Sequence, residues 1–211
     1  MIQLHTLGIS DGQIAPLPHY LRPGLRMVFI GYNPGLRSAR AGHYYAHRGN
    51  VFWHQLNASG LLRRPVGHLD DADLMDEAGI GFVDLCCRPT ARADELTPDE
   101  IAAGARRLHR ELTGASPGYA VFSGKGIYQL FGNLELSISR PALARRAYGT
   151  QPERFGANCI PYVIPSSSGL ASRWHQDRLL LLKQLGQALG SIRPGSGNEY
   201  HSPKGLSALD V

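Results

Sequence analysis

Short apolar runs recur along this chain at helix-length intervals, and no other feature constrains the fold as strongly. Leu25 to Ile30, Ile80 to Cys87, Tyr119 to Phe122 and Tyr162 to Ile164 are each followed by a loop of small or polar residues and then by helix-like sequence. Strands separated by helices return to the same end of the sheet, so they pair in parallel and need a helical layer on both faces. The expected fold is α/β, a three-layer α/β/α sandwich with a central, mostly parallel sheet of four to five strands. The clearest helix begins at Thr97, where Thr97, Pro98 and Glu100 supply an N-cap, a first-turn proline and the carboxylate of a capping box. Its apolar stripe is Ile101, Ala105, Leu108 and Leu112, and Gly114 is expected to stop it. Further helices are expected from Asn50 as N-cap through Phe52, Trp53 and Leu56 to Gly60, and from Ser172 through Leu182, Leu185 and Leu189.

With 43% hydrophobic and 18% charged residues, 211 residues suffice for one domain with a single sizeable core. That domain is expected over residues 25–190. An irregular arm over 1–24, punctuated by Gly8, Gly12, Pro16, Pro18, Pro23 and Gly24, should precede it. A loosely ordered tail over 191–211, rich in Gly, Pro and Ser, should follow. No strongly apolar run exceeds the four residues Leu179 to Leu182, against the roughly 20 that span a bilayer, and no basic segment leads into an apolar one at the start. A soluble intracellular protein without a membrane partner is expected. Cys86, Cys87 and Cys159 are odd in number and lack C-x-x-C spacing, which argues against a disulfide scaffold, a cysteine metal site or a four-thiolate cluster. The net charge is +5, and of 22 basic residues only Lys125, Lys183 and Lys204 are lysine. Guanidinium forks suit phosphates and base edges. A GC-rich bacterial genome would produce the same excess of arginine.

In an open parallel sheet the ligand crevice lies beyond the carboxyl ends of the strands. Four loops should therefore converge there: GYNPGLRSA (31–39), CRPTARADEL (87–96), SGKG (123–126) and PSSSGLASR (165–173). The first forms a tight turn presenting Tyr32 and Asn33. A neutral Asn amide can hold a water in line for attack without strongly deprotonating it, or serve only as a turn former. The last offers three hydroxyls and several N–H groups before a helix, which suits a phosphate or a plain capped turn. Leu170 stands in that polar loop as either a wedge for a base stack or a core residue. Tyr44 and Tyr45 are either stacking surfaces or core. SGKG lacks the spacing of a nucleotide-hydrolysing phosphate loop, and His43, His47 and His54 lack partners at zinc spacing.

Taken in order, GYNPGLRSARAGHYYAHRGNVFW, GIGFVDLCCRPT, YAVFSGKGIY and IPSSSGL resemble the mismatch-specific uracil and thymine DNA glycosylase family, within the uracil-DNA glycosylase superfamily, over roughly Leu25 to Leu189. The resemblance implies an α/β/α fold without metal or cofactor. It also implies hydrolysis of the N-glycosidic bond of a uracil, or a thymine or modified pyrimidine, mispaired with guanine in double-stranded DNA. By the same resemblance Asn33 positions the water, Tyr45 stacks on the extruded base, and the turn amides near Tyr32 bond the base oxygen. Ser38 lies near the pyrimidine C5 edge, and Leu170 is the wedge, with Gly169 and Ala171 facing the orphaned guanine. Ser166, Ser167 and Ser168 grip phosphates, and Arg173 joins this DNA-binding set. A monomer in the bacterial cytoplasm, at the nucleoid, is expected.

Two positions depart from the family. Asp84 stands where members carry Asn or Lys, at a position associated with base recognition; its carboxylate would accept the uracil N3–H and repel O4. Asp94 stands opposite an Asn of bacterial relatives, either as a second water-activating or cation-stabilising group or as an ion-pair partner of Arg88 or Arg92. The enzyme is expected to be monofunctional, because a lyase step needs an amine nucleophile and Lys125 is the sole lysine in the four loops. The alternative is a non-catalytic protein that binds damaged or mismatched DNA. A cysteine hydrolase using Cys86 or Cys87 would need a histidine partner that the sequence does not identify.

Overall fold

The computed structural model describes residues 14–190; the first 13 residues of the expected arm and the whole of the expected tail lie outside the described residues. Five strands, β1 (Met27–Gly31), β2 (Ile80–Asp84), β3 (Tyr119–Ser123), β4 (Gly149–Thr150) and β5 (Ile160–Ile164), form one sheet in the order β2-β1-β3-β5-β4. All four expected apolar runs are strands, and they pair in parallel, with Met27 opposite both Ile80 and Tyr119. The fifth strand is an antiparallel two-residue edge on β5. Gly149 and Thr150 have no apolar run of their own, so nothing local marks them as a strand. The expected run to Cys87 leaves the sheet after Asp84, although Leu85 N still donates to Gly31 O and Cys86 N to Tyr32 O.

The twofold alternation of side chains divides the core into two layers. Met27, Phe29, Ile80, Phe82, Val121 and Ile164 face one side, where they pack on α2 (Phe52–Asn57), α3 (Leu74–Glu77) and α7 (His175–Gly190). Val28, Ile30, Val83, Ala120, Phe122 and Val163 face the other, against α4 (Pro98–Ala115), α5 (Lys125–Glu135) and α6 (Arg140–Arg145). One further short helix, α1 (Leu36–Ala41), follows the loop after β1. The three layers are those expected.

Helix boundaries follow the capping chemistry with some shifts. At α4 both capping-box bonds form: Glu100 N donates to Thr97 Oγ1 at 3.2 Å and Thr97 N to Glu100 Oε2 at 2.8 Å. Gly114 does not stop this helix. It runs through Ala115, and Ser116, at φ 40, turns the chain out. The N-cap of α2 is Val51, not the expected Asn50, although Asn50 Oδ1, just before it, does accept from Phe52 N at 2.9 Å, and α2 ends at Asn57. The last helix begins later than Ser172, which lies in a 3-10 turn over Gly169–Trp174 that Ser168 caps. Within the arm, Tyr20 pairs with Phe82 through two backbone bonds of 2.9 Å, so this stretch is pinned to the β2 edge.

Candidate active site

The strand order places β2 on one side of β1 and β3 on the other. Connections therefore diverge between β1 and β3, and the carboxyl end of such a divergence is where an open sheet leaves a crevice. A cavity of about 1270 Å³ opens there. The loops after β1, β3 and β5 contribute directly, through Asn33, Ser123 and Ser167 among others; the loop after β2 contributes Ala91 and Ala93.

The alternation that fills the core also builds the cavity floor. Gly31, Asp84 and Ser123 end their strands on the layer of Phe29, Phe82 and Val121, beneath Tyr45. Tyr45 adopts φ +53, a conformation that a bulky L-residue holds only when its surroundings impose it. Those surroundings are Phe52, whose ring lies 3.8 Å away and 7° from parallel, and Ser123, whose Oγ accepts the Tyr45 hydroxyl at 3.4 Å. Burial, partly offset by Ser123, pushes the Tyr45 phenol up to about 12. Beneath the stack lies Arg178 of α7, 0% exposed, with its guanidinium 5.2 Å from the Phe52 ring and Nη1 donating to Gln55 Oε1 at 2.6 Å. Burial lowers its pKa to about 10, and its Nε and Nη2 have no partner among the described residues.

Asn33 is held by the loop after β2. Its Nδ2 donates to Arg88 O at 2.9 Å and Thr90 Oγ1 at 2.7 Å. The Arg88 carbonyl can only accept, which fixes the amide orientation. Asn33 Oδ1 accepts nothing among the described residues and belongs to a residue that lines the cavity. The backbone N–H groups of Tyr32 and Asn33 likewise find no acceptor there. The Ser38 Oγ accepts from Ala46 N at 3.2 Å, folding the following loop back over the cavity, which Ser38 also lines.

Asp84 is 6% exposed and also lines the cavity. Its carboxylate accepts no hydrogen bond among the described residues, and burial, against a smaller opposing effect of Arg107, pushes it up to about 7. Gly31 makes room for it, since a Cβ there would sit 2.1 Å from Asp84 Oδ1.

Leu170 is 100% exposed at the cavity edge, which removes the core-filling reading. Its loop is braced from within: Val51 N donates to Ser167 O, Ser168 N to Ser166 Oγ, Leu170 N to Ser168 Oγ and Ala171 N to Ser168 O. Ser166, Ser167, Ser168 and Gly169 line the cavity, Ser167 being nearly fully buried there, and Arg173 lies outside it over the Trp174 ring.

Asp94 is not brought to the cavity. Its side chain is 63% exposed and makes a two-point ion pair with Arg92, at 2.6 Å and 3.0 Å, because the 3-10 turn over Ala93–Glu95 turns it outward while Ala91 and Ala93 face in. Lys125 donates to Ala144 O and does not line the cavity, although its neighbours Gly124 and Gly126 do. Contrary to the sequence reading, Cys87 has a histidine neighbour, His19 Nε2, at 3.4 Å. Burial raises the thiol and lowers the imidazole, which favours the neutral pair over an activated nucleophile. Sequence reasoning missed Ser123, Thr90 and Arg178. The alternation in YAVFS pointed to Ser123, but no local pattern marks the other two.

A model of the uracil DNA glycosylase superfamily matches residues 18–189. A G/U mismatch-specific uracil DNA glycosylase of Schizosaccharomyces pombe is 33% identical over 173 residues, which are 81% of this chain and 52% of that protein. The chain thus spans about half the length of that relative. The solution NMR structure of a Methanosarcina acetivorans protein, assigned provisionally to the uracil DNA glycosylases, matches with a TM-score of 0.53 over 84% of this chain and 98% of that one, at 18% identity, and supports the fold. With the cavity at the β1/β3 crevice and a family match over nearly all of the described residues, the chain belongs to the uracil DNA glycosylase superfamily.

Proposed function

We propose that this protein is a monofunctional DNA glycosylase that extrudes uracil from a mismatch with guanine in double-stranded DNA and hydrolyses its bond to the sugar, initiating base excision repair. The observation that carries this reading is the conjunction, in one cavity, of a rigid aromatic platform at Tyr45, an unsatisfied amide oxygen at Asn33 and a fully exposed leucine at the mouth. A base must leave the stack before its glycosidic bond can be reached, and Leu170 is an apolar side chain of the size that fills the vacated step. The extruded pyrimidine stacks on Tyr45, whose ring Phe52 and Ser123 hold in place. The free N–H groups of Tyr32 and Asn33 bond a base oxygen as it gains charge, an interaction that strengthens toward the transition state. Ser38 limits the space at the C5 edge.

The reacting sugar resembles an oxocarbenium ion, so water needs orientation more than activation. Asn33 Oδ1 provides that orientation and accepts a water proton in a hydrogen bond. Asp94 would reach the same water only after leaving Arg92. The outward placement of Lys125 favours hydrolysis over a lyase step.

The test is a single-turnover reaction with labelled duplexes carrying one U·G, U·A or T·G pair, followed by alkali to cut abasic sites. Cleavage of the U·G duplex is expected, with Asn33→Ala reducing the rate more than Asp94→Asn. Binding to U·G DNA without cleavage of any duplex would favour the non-catalytic alternative.

A further inference from the structure

Asp84 is a buried carboxyl that makes no ion pair or hydrogen bond through its side chain among the described residues; Arg107 acts on it only at a distance, against the larger effect of burial, and each neighbouring element shows why. From α4, Arg107 gives its donors to the backbone carbonyls of Asp84 and Leu85 and to Glu111, not to the Asp84 carboxylate. On the cavity side, the Tyr44 hydroxyl donates to Pro18 O and the Tyr45 hydroxyl to Ser123 Oγ. Along its own chain, Cys86 Sγ donates to Glu100 O and Cys87 lies against His19. From β1 there is only Gly31, whose missing side chain is the space that Asp84 Oδ1 enters. The carboxyl is therefore aimed into the cavity floor, close to where the Tyr45 hydroxyl sits, with the cavity as its sole polar outlet among the described residues.

A carboxylate so placed would be buried without a partner, which is costly, whereas the neutral acid is not. The neutral form also changes what the group can read. A carboxylic acid offers one O–H donor beside one C=O acceptor, the pattern of a carboxamide, while a carboxylate only accepts. The edge of uracil carries an N3–H donor beside the O4 acceptor, so an ionised Asp84 would match one and repel the other.

We propose that Asp84 acts as a neutral carboxylic acid, its carbonyl accepting the N3–H of the extruded base and its hydroxyl donating to O4. This rests on the glycosylase reading. It accounts for the departure from those family members expected to carry Asn, though not from those with Lys, because a protonated Asp presents the hydrogen-bonding face of an Asn. As the bond from C1′ to N1 breaks, its electron pair leaves on the base and spreads to the oxygens, so the O–H bond to O4 tightens. Water adds to C1′ and releases one proton to the departing base or to solvent. Asp84 shares its proton without losing it.

The sign of the pH effect follows. Excision is fastest where Asp84 is protonated and declines as pH rises through the value of about 7 to which burial pushes it. Single-turnover excision of uracil from a U·G duplex, with enzyme saturating, should fall about tenfold between pH 6 and pH 8. Asp84→Asn, which keeps the donor and acceptor but cannot ionise, should be active and flat over that range. A wild-type rate that is flat or rises with pH would overturn the proposal, as would a variant that keeps the wild-type decline. A second readout needs no turnover. In the free protein labelled with ¹³C at aspartate carboxyls, one resonance absent from Asp84→Asn should titrate near neutrality. If it titrates in the ordinary carboxylate range, the proposal fails while the glycosylase reading stands; if it titrates near neutrality and no duplex is cleaved at any pH, both fail, with the burial reasoning intact.

Discussion

Replacing Phe52 by leucine tests whether the column beneath the proposed base platform is a structural unit. Phe52 is fully buried, stacked on Tyr45 at 3.8 Å, edge-on to Phe29 at 5.0 Å and faced by the Arg178 guanidinium at 5.2 Å. The smaller side chain forfeits about 1 kcal/mol in lost volume. The two best-oriented ring pairs contribute about 1 kcal/mol each, and the desolvated cation over the ring about 1 kcal/mol more. The expected loss is about 4 kcal/mol, a large share of the stability of a domain this size. Urea unfolding followed by circular dichroism should show it as a midpoint lower by about 2 M. Phe131→Leu is the comparator, because Phe131 is equally buried but lies in the other layer, against Phe122 and Phe155. It should cost about 3 kcal/mol and leave Tyr45 undisturbed. At a temperature where both variants are folded, the proposed uracil excision should fall in Phe52→Leu and persist in Phe131→Leu. A loss under about 1 kcal/mol in Phe52→Leu, or equal activity in the two variants, would refute the idea that this stack holds Tyr45 in its left-handed conformation.

Leu170→Ala should leave the unfolding midpoint unchanged, since the side chain is wholly exposed, and should slow excision from a duplex while sparing uracil in a single strand, where no step needs filling; equal slowing on both substrates would contradict the wedge role. For stability, an acid whose pKa is raised by folding binds more protons folded than unfolded, so stability falls as pH rises from about 4 to about 7 and is level above that. Asp84→Asn should remove a decline of up to about 4 kcal/mol over that window, seen as a smaller drop in melting temperature between pH 4.5 and pH 8 than in the wild type. Burial pushes the Cys86 thiol up to about 11 and that of Cys159 up to about 12, so both should resist aromatic disulfide reagents at pH 8 until the protein is unfolded; rapid reaction of Cys86 in the folded protein, identified by mass mapping, would show that the β2–α4 contact opens.

Much of the site was legible because it depends on local periodicity and on a rule about sheet ends. Alternation in MVFIG, IGFVD and YAVFS fixes which side of the sheet each residue faces. Parallel pairing then brings the residues after each strand to one edge, which is why Tyr32, Asn33, Ser38, Tyr45, Asp84 and the PSSSGL loop meet in one cavity. Capping chemistry marked the start of α4 for the same local reason, although the exit came at Ser116, in a left-handed conformation, rather than at Gly114.

The remainder depended on contacts between residues distant in sequence. Asp94 read equally as a cavity acid or an ion-pair partner, and one 3-10 turn decided for Arg92. Arg178 sits in a helix sequence where an arginine reads as a solvated face, yet the fold carries it into the core against Phe52 and Gln55, 123 residues away from the latter. Cys87 gained a histidine neighbour from an arm 68 residues earlier. The chain by itself determined the four parallel strands, their common edge and the chemistry gathered there, because hydrophobic period and turn geometry are properties of neighbouring residues. Tertiary packing alone decided which charges are buried and which are paired, because the solvation of an ionisable group depends on every element that closes around it.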